Sequence, residues 1–117
     1  MAVSRQGRNH SERGLFRARE LSETTVLIAA AGEIDAANSA DLGGYIEDHL
    51  GGYQQLVLDL SRLGFFGTDG FSALHTVNAR CARRGIDWVV VPGPEVSRVL
   101  RVCDPAGALH TASNIVS

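Results

Sequence analysis

The chain has 117 residues, of which 44% are hydrophobic and 21% are charged, as is usual for a single globular domain. Its formal net charge of −2 gives no reason to expect a nucleic-acid partner. The longest apolar run, residues 26–31, is too short to cross a bilayer and follows no signal peptide, so we expect a cytoplasmic protein.

Strands and helices are predicted to alternate along the chain after a polar start. Residues 1–14 show no periodicity and are expected to form a flexible arm. Hydrophobic patterning predicts strands at 15–20, 25–31, 55–60 and 86–91, and a short final strand at 108–111. It predicts helices from 38 or 39 to 50, from 69 to 84, and from 93 to 103. This alternation requires an α/β layer fold with right-handed crossovers.

The first predicted helix contains a pair of glycines. Asn38 or Ser39 is a favourable N-cap for it. Gly43 and Gly44 follow within the next two turns, and each is expected to weaken the helix by roughly 1 kcal/mol relative to alanine.

The most informative segment is the glycine-flanked loop Gly67-Thr68-Asp69-Gly70, which connects a buried strand to a helix. A helix N-terminus can recognise anions because its first N–H groups have no partner within the helix. Asp69 is interpreted as the N-cap, with its carboxylate accepting from the N–H groups of Phe71 or Ser72. Phe65 and Phe66 are predicted to divide between the core and the loop, and an exposed Phe66 or Phe71 would anchor a partner.

Three segments in this order resemble the STAS domain family, which includes the anti-sigma-factor antagonists. They are Gly32-Glu33-Ile34-Asp35, the strand 58–61 with the loop 67–70, and Arg84-Gly85-Ile86 followed by a strand and a Pro-x-Val-x-Arg-x-Leu run. The resemblance implies the STAS fold, a four- to five-stranded mixed sheet with helices packed against it, over residues 15–117. The family usually carries a C-terminal helix, which we expect to be cut short at the end of this chain.

The resemblance also implies a non-catalytic, protein-binding function. Members of the family antagonise an anti-sigma factor that has a kinase-like ATPase fold, and so regulate sigma-factor-dependent transcription by partner switching. Their loop usually reads Asp-Ser-Ser-Gly, and phosphorylation of its second serine breaks the complex. Asp69 stands at that serine here, as a cap or a weak phosphate mimic, and Thr68 is the substitute acceptor. The expected partner-binding residues are Phe66, Gly67, Thr68, Asp69, Gly70, Phe71 and Ser72.

Other functions have less support in the sequence. A STAS sensor or scaffold outside the sigma pathway is the alternative, and an enzyme is least favoured because the usual catalytic motifs are missing. We expect a monomer or weak dimer with no cofactor, metal, nucleic acid or membrane. Cys81 and Cys103 lie on apolar stripes and are read as buried small hydrophobic residues. Alternatively they form a redox pair, which needs Cα atoms within about 7 Å.

Overall fold

The computed structural model describes residues 14–112, so the expected arm lies almost wholly outside it, as does most of the segment expected to begin a C-terminal helix. Within the described residues the chain forms four strands and three helices. In chain order they are β1 (Gly14–Glu20), β2 (Thr25–Ile34), α1 (Ser39–His49), β3 (Gln55–Phe66), α2 (Thr68–Arg84), β4 (Asp87–Val91) and α3 (Gly93–Cys103).

The described strands form one mixed sheet in the order β1-β2-β3-β4. β1 runs antiparallel to β2, whereas β2, β3 and β4 are parallel to one another. Right-handed crossovers through α1 and α2 place both helices on the same face of the sheet, where they pack against each other. The predicted fold class is therefore confirmed.

The core lies between the sheet and the helices. Alternate residues of β2 and β3 point into it because successive side chains of a strand face opposite sides, and burying each large aliphatic side chain is worth about 1.5–3 kcal/mol. The buried residues contributed by these two strands and three helices include Val26, Ile28, Leu56, Leu58, Leu60, Leu42, Ile46, Leu74, Val77, Cys81, Val96 and Leu100.

Strands β2 and β3 are longer than the sequence predicts. β2 continues to Ile34, and β3 continues to Phe66 rather than ending at Leu60. The pairing between them shifts register twice, between Ala29 and Ala31 and between Gly32 and Glu33. Such bulges interrupt the alternation of buried and exposed side chains, which is why the periodic pattern predicts strands that end too early.

The predicted strand at 108–111 is reduced to an isolated bridge between Val90 and Thr111. The preceding turn explains this difference. The carboxylate of Asp104 accepts hydrogen bonds from the N–H groups of Ala108 and Leu109, at 2.9 and 3.0 Å. Those two donors therefore cannot join a ladder, and little chain is left to pair with β4.

Candidate functional site

The candidate site lies where the carboxyl ends of β2 and β3 lead into α1 and α2. The N–H of Gly67 donates to the carbonyl of Ile34 at 3.0 Å, which joins the two loops. Asn38 stands at the N-cap position of α1 but makes no side-chain cap bond. Its side chain instead accepts from the N–H of Asp35 and donates to the carbonyl of Glu33. These bonds hold the β2–α1 loop beside the start of α2.

Phe66 and Gly70 form the buried support of the site. Phe66 is only 3% exposed, and Gly70 is buried in the first turn of α2. A Cβ atom at position 70 would lie 2.4 Å from Cε1 of the Phe66 ring, so only glycine lets the helix sit this close to the end of β3. Both are predicted partner-binding residues, but their burial leaves little surface for contact with a partner. They position their neighbours instead.

Asp69 is not the N-cap of α2, contrary to the sequence prediction. Gly67 occupies that position with extended backbone angles, and no side chain caps the helix. The N–H of Gly70 bonds the carbonyl of Gly67 at 2.9 Å, which tightens the first turn. Because Asp69 is the second residue within the helix, its carboxylate is exposed and makes no hydrogen bond to the N–H of Phe71 or Ser72.

The exposed part of the predicted site consists of Thr68, Asp69 and Ser72, while Gly67 and Phe71 are half-buried. Phe71 contacts the ring of His75 edge-on, with the centroids 4.6 Å apart. The two phenylalanines divide as predicted, but the exposed one is Phe65, at 47%.

A groove between α1 and α2 adjoins these exposed residues. Its volume is about 310 Å³, and it is lined by Ser39, Ala40, Gly43, Gly44, Asp69, Ser72, Ala73, Thr76 and Arg80. A Cβ atom at Gly43 or Gly44 would meet nothing within 4 Å, so neither glycine is needed for packing within the chain. The pair is predicted from the sequence only to weaken α1, although two adjacent glycines in one helix turn are a signal for such a groove.

Arg80 closes the far end of the groove and is already paired. Its Nη1 lies 2.9 Å from Oε1 of Glu47 on α1, and Arg84 binds the other oxygen of the same carboxylate. The hydrogen bond from Arg80 is the main reason that the pKa of Glu47 lies below its ordinary value. Arg80 thus joins α1 to α2, and reversing its charge would disturb the helix pair as well as any partner contact.

The two cysteines are both free thiols. Cys81 is wholly buried in α2, and burial raises its pKa to about 11. Cys103 is half-buried at the end of α3. Since the thiolate is the reactive form, the environment of Cys81 weighs against redox chemistry, and the redox pair stays a prediction.

Two kinds of feature are absent from residues 14–112. No group of three or more His, Cys, Asp or Glu side chains there is arranged to hold a metal ion. No helix in the same part of the chain combines the length and apolar character needed to cross a membrane.

Comparison with known proteins places this architecture among known domains. Residues 17–116 match the family model described as the STAS domain. Osmosensory protein A of Mycobacterium tuberculosis is 33% identical over 76 residues, which are 65% of this chain and 48% of that protein. The chain thus matches about half the length of this relative.

Two solved structures share the fold at low sequence identity. An anti-sigma factor antagonist from Mycobacterium paratuberculosis superposes with a TM-score of 0.75 and 17% identity, covering 91% of this chain and 92% of that one. The antagonist SpoIIAA of Bacillus, in its unphosphorylated form, superposes with a TM-score of 0.67 and 17% identity, covering 85% and 89%.

Proposed function

We propose that this chain, which belongs to the STAS domain family, is an anti-sigma-factor antagonist acting in the cytoplasm. It binds an anti-sigma factor with a kinase-like ATPase fold and so releases a sigma factor for transcription. Two solved structures with the same fold are named anti-sigma factor antagonists, which supports an anti-sigma factor as the partner. We propose no catalytic role, since the exposed residues at the loop do not form a nucleophile–base pair.

One observation carries the proposal: the start of α2 is uncapped and exposed, and it opens directly onto the groove. Thr68, Asp69 and Ser72 present side chains that bond to nothing else in residues 14–112. Phe66 and Gly70 hold that turn rigidly against the sheet. A backbone turn that is packed against the sheet beside a recess is a suitable binding surface, because little backbone conformational entropy is lost when a partner docks.

The α1 side of the groove belongs to the proposed surface. Without side chains at Gly43 and Gly44, the backbone of α1 is open to close approach by a partner's side chain. Phe65 adds an exposed aromatic ring near Gly67, since a Cβ atom at that glycine would lie 3.3 Å from the ring. Aromatic side chains are common anchors of interfaces. The proposed contact residues, which we call the loop–groove surface, are therefore Phe65, Gly67, Thr68, Asp69, Phe71, Ser72, Gly43 and Gly44.

The proposed complex is not switched by phosphorylation at position 69. Asp69 has no hydroxyl group, and its single negative charge is fixed, whereas a phosphoserine carries nearly two. SpoIIAA, by contrast, has been solved in both phosphorylated and unphosphorylated forms. We therefore propose that binding is constitutive or is controlled elsewhere.

Titration calorimetry of the full chain against the kinase-fold anti-sigma factors of its own host tests the proposal. Asp69→Arg should weaken binding at least about tenfold, the effect of about 1.4 kcal/mol at an interface residue. Asp48→Arg is the matched control, because it makes the same charge change at an exposed position of α1 outside the groove lining. Gly44→Leu should also weaken binding, while Gly51→Leu should not, although both sites have open space.

Two results would argue against this surface. Equal losses from Asp69→Arg and Asp48→Arg would indicate a general charge effect. Unchanged binding in both Asp69→Arg and Gly44→Leu would place the partner elsewhere on the domain.

A further inference from the structure

The sheet face that points away from α1 and α2 carries a cluster of arginines. Phe16 on β1 is buried in the core, so the alternation of side chains turns its neighbours Arg17 and Arg19 to the opposite face. Arg17 is paired with Ala29 on β2, and Ala29 is paired with Asp59 on β3. This row defines the open face of the sheet.

A bulge in β3 brings a third arginine to the same face. Ala29 pairs with Asp59, but Ala31 pairs with Arg62, so three steps along β3 match two along β2. The extra residue turns the side chain of Arg62 to the same face of the sheet as the side chain of Ala31. Without the bulge, residue 62 would point toward the helices.

These arginines surround a shallow cavity with small residues at its floor. The cavity has a volume of about 360 Å³ and is lined by Arg17, Arg19, Ala29, Ala30, Ala31, Asp59 and Arg62. All three arginines are exposed, and none forms an ion pair among residues 14–112. The Asp59 carboxylate already accepts hydrogen bonds from the N–H and hydroxyl of Ser61, at 3.0 and 2.6 Å. Three positive charges against one negative charge give the cavity lining a formal charge of +2.

We infer that the open face binds an extended acidic segment of a partner protein. Guanidinium groups bind carboxylates through paired hydrogen bonds. Arg17 and Arg19 are two residues apart on a strand, a separation of about 6.8 Å, which is also the spacing of alternate side chains in an extended peptide. Ala29 and Ala31 leave room for the peptide backbone between Arg17 and Arg62.

The chain's own N-terminal segment does not carry the negative charge that would complement this cavity. Residues 1–13 contain three arginines and one glutamate, a net charge of +2, which a basic face repels. The lining of the arginine cavity shares no residue with the loop–groove surface, so its occupation does not depend on the proposed function.

The test is a titration of the ¹⁵N-labelled full chain with a capped peptide of alternating glutamate and glycine, followed by amide chemical shifts. Shifts are expected in β1, in β2 and in the middle of β3, around Asp59 and Arg62. Arg17→Gln, Arg19→Gln and Arg62→Gln should each weaken binding about two- to fivefold, and the triple variant by more than about tenfold. Arg101→Gln, at an exposed position of α3, should leave binding unchanged. Salt near 1 M should abolish it, because screening then acts within about 3 Å.

Several results would overturn the inference. One is equal binding of the peptide to the wild type and a folded triple variant, and another is equal binding of a glutamine–glycine peptide. Saturation of the same shifts by inorganic phosphate at similar concentration would indicate a simple anion site. Arginine-dependent binding to anionic vesicles, or arginine-dependent dimerisation, without peptide binding would assign the face to a membrane or to a second copy.

Discussion

Substitution of Gly70 by alanine tests how the site is held in place. The new Cβ atom would lie 2.4, 2.6 and 2.9 Å from three atoms of the Phe66 ring, closer than carbon atoms can approach. The ring is buried in the core, so either the ring or the start of α2 must shift. Overpacking of this kind costs about 1–3 kcal/mol, and the better helix propensity of alanine returns at most about 1 kcal/mol. We expect a net loss of about 1–2 kcal/mol.

Urea unfolding followed by circular dichroism measures this loss, with Gly43→Ala as the matched control. The control makes the same change in a helix where the new methyl group meets nothing within 4 Å, so it should gain about 0.5–1 kcal/mol. Gly70→Ala combined with Phe66→Leu should recover part of the loss. A Gly70→Ala variant as stable as Gly43→Ala would refute the close packing that positions the surface.

Three further predictions follow from individual side chains. Incubation with the host's anti-sigma kinase and ATP should add no phosphate to the wild type, as measured by intact mass, while Asp69→Ser should accept one phosphate. A stoichiometric phosphate on wild-type Thr68 that releases the partner would contradict this. Iodoacetamide at pH 8 should label Cys103 and not Cys81, because the Cys81 thiol is buried and has a pKa of about 11. Equal labelling rates of the two cysteines on peptide mapping would contradict the burial of Cys81. Hydrogen bonds from the N–H groups of Leu109 and Ala108 hold the pKa of Asp104 below its ordinary value, so the carboxylate stabilises the fold above a pH of about 4 and this stabilisation is lost as the pH falls further. Asp104→Asn should therefore be less stable than the wild type at pH 7 and should lose less stability on acidification. Parallel acid unfolding curves for the two proteins would contradict this.

The sequence predicts the order of the elements because their signals are local. Gly85 is an example: it ends α2 with φ of 68°, and the N–H groups of Gly85 and Ile86 bond the carbonyls of Ala82 and Cys81. A left-handed glycine at this position is a frequent helix stop, so one residue type is enough to predict it. The family resemblance rests on several such local segments.

The features that the sequence mispredicted depend on contacts between distant residues. Asp69 has the chemistry of a cap, but with the link from Gly67 to Ile34 the N-cap lies two residues earlier, at Gly67. Phe65 and Phe66 are indistinguishable by residue type, and only the bulged pairing with β2 decides which one faces the core. The groove was missed because it exists only once α1 and α2 pack together.

Hydrogen exchange of the full chain, with and without its anti-sigma factor, tests the central claim most directly. If the partner docks on the loop–groove surface, amides at the start of α2 and in the first half of α1 should exchange more slowly in the complex. Amides of α3 and of β1 should be unaffected. Protection confined to α3 or β1, with none at residues 67–76, would contradict the proposed binding surface.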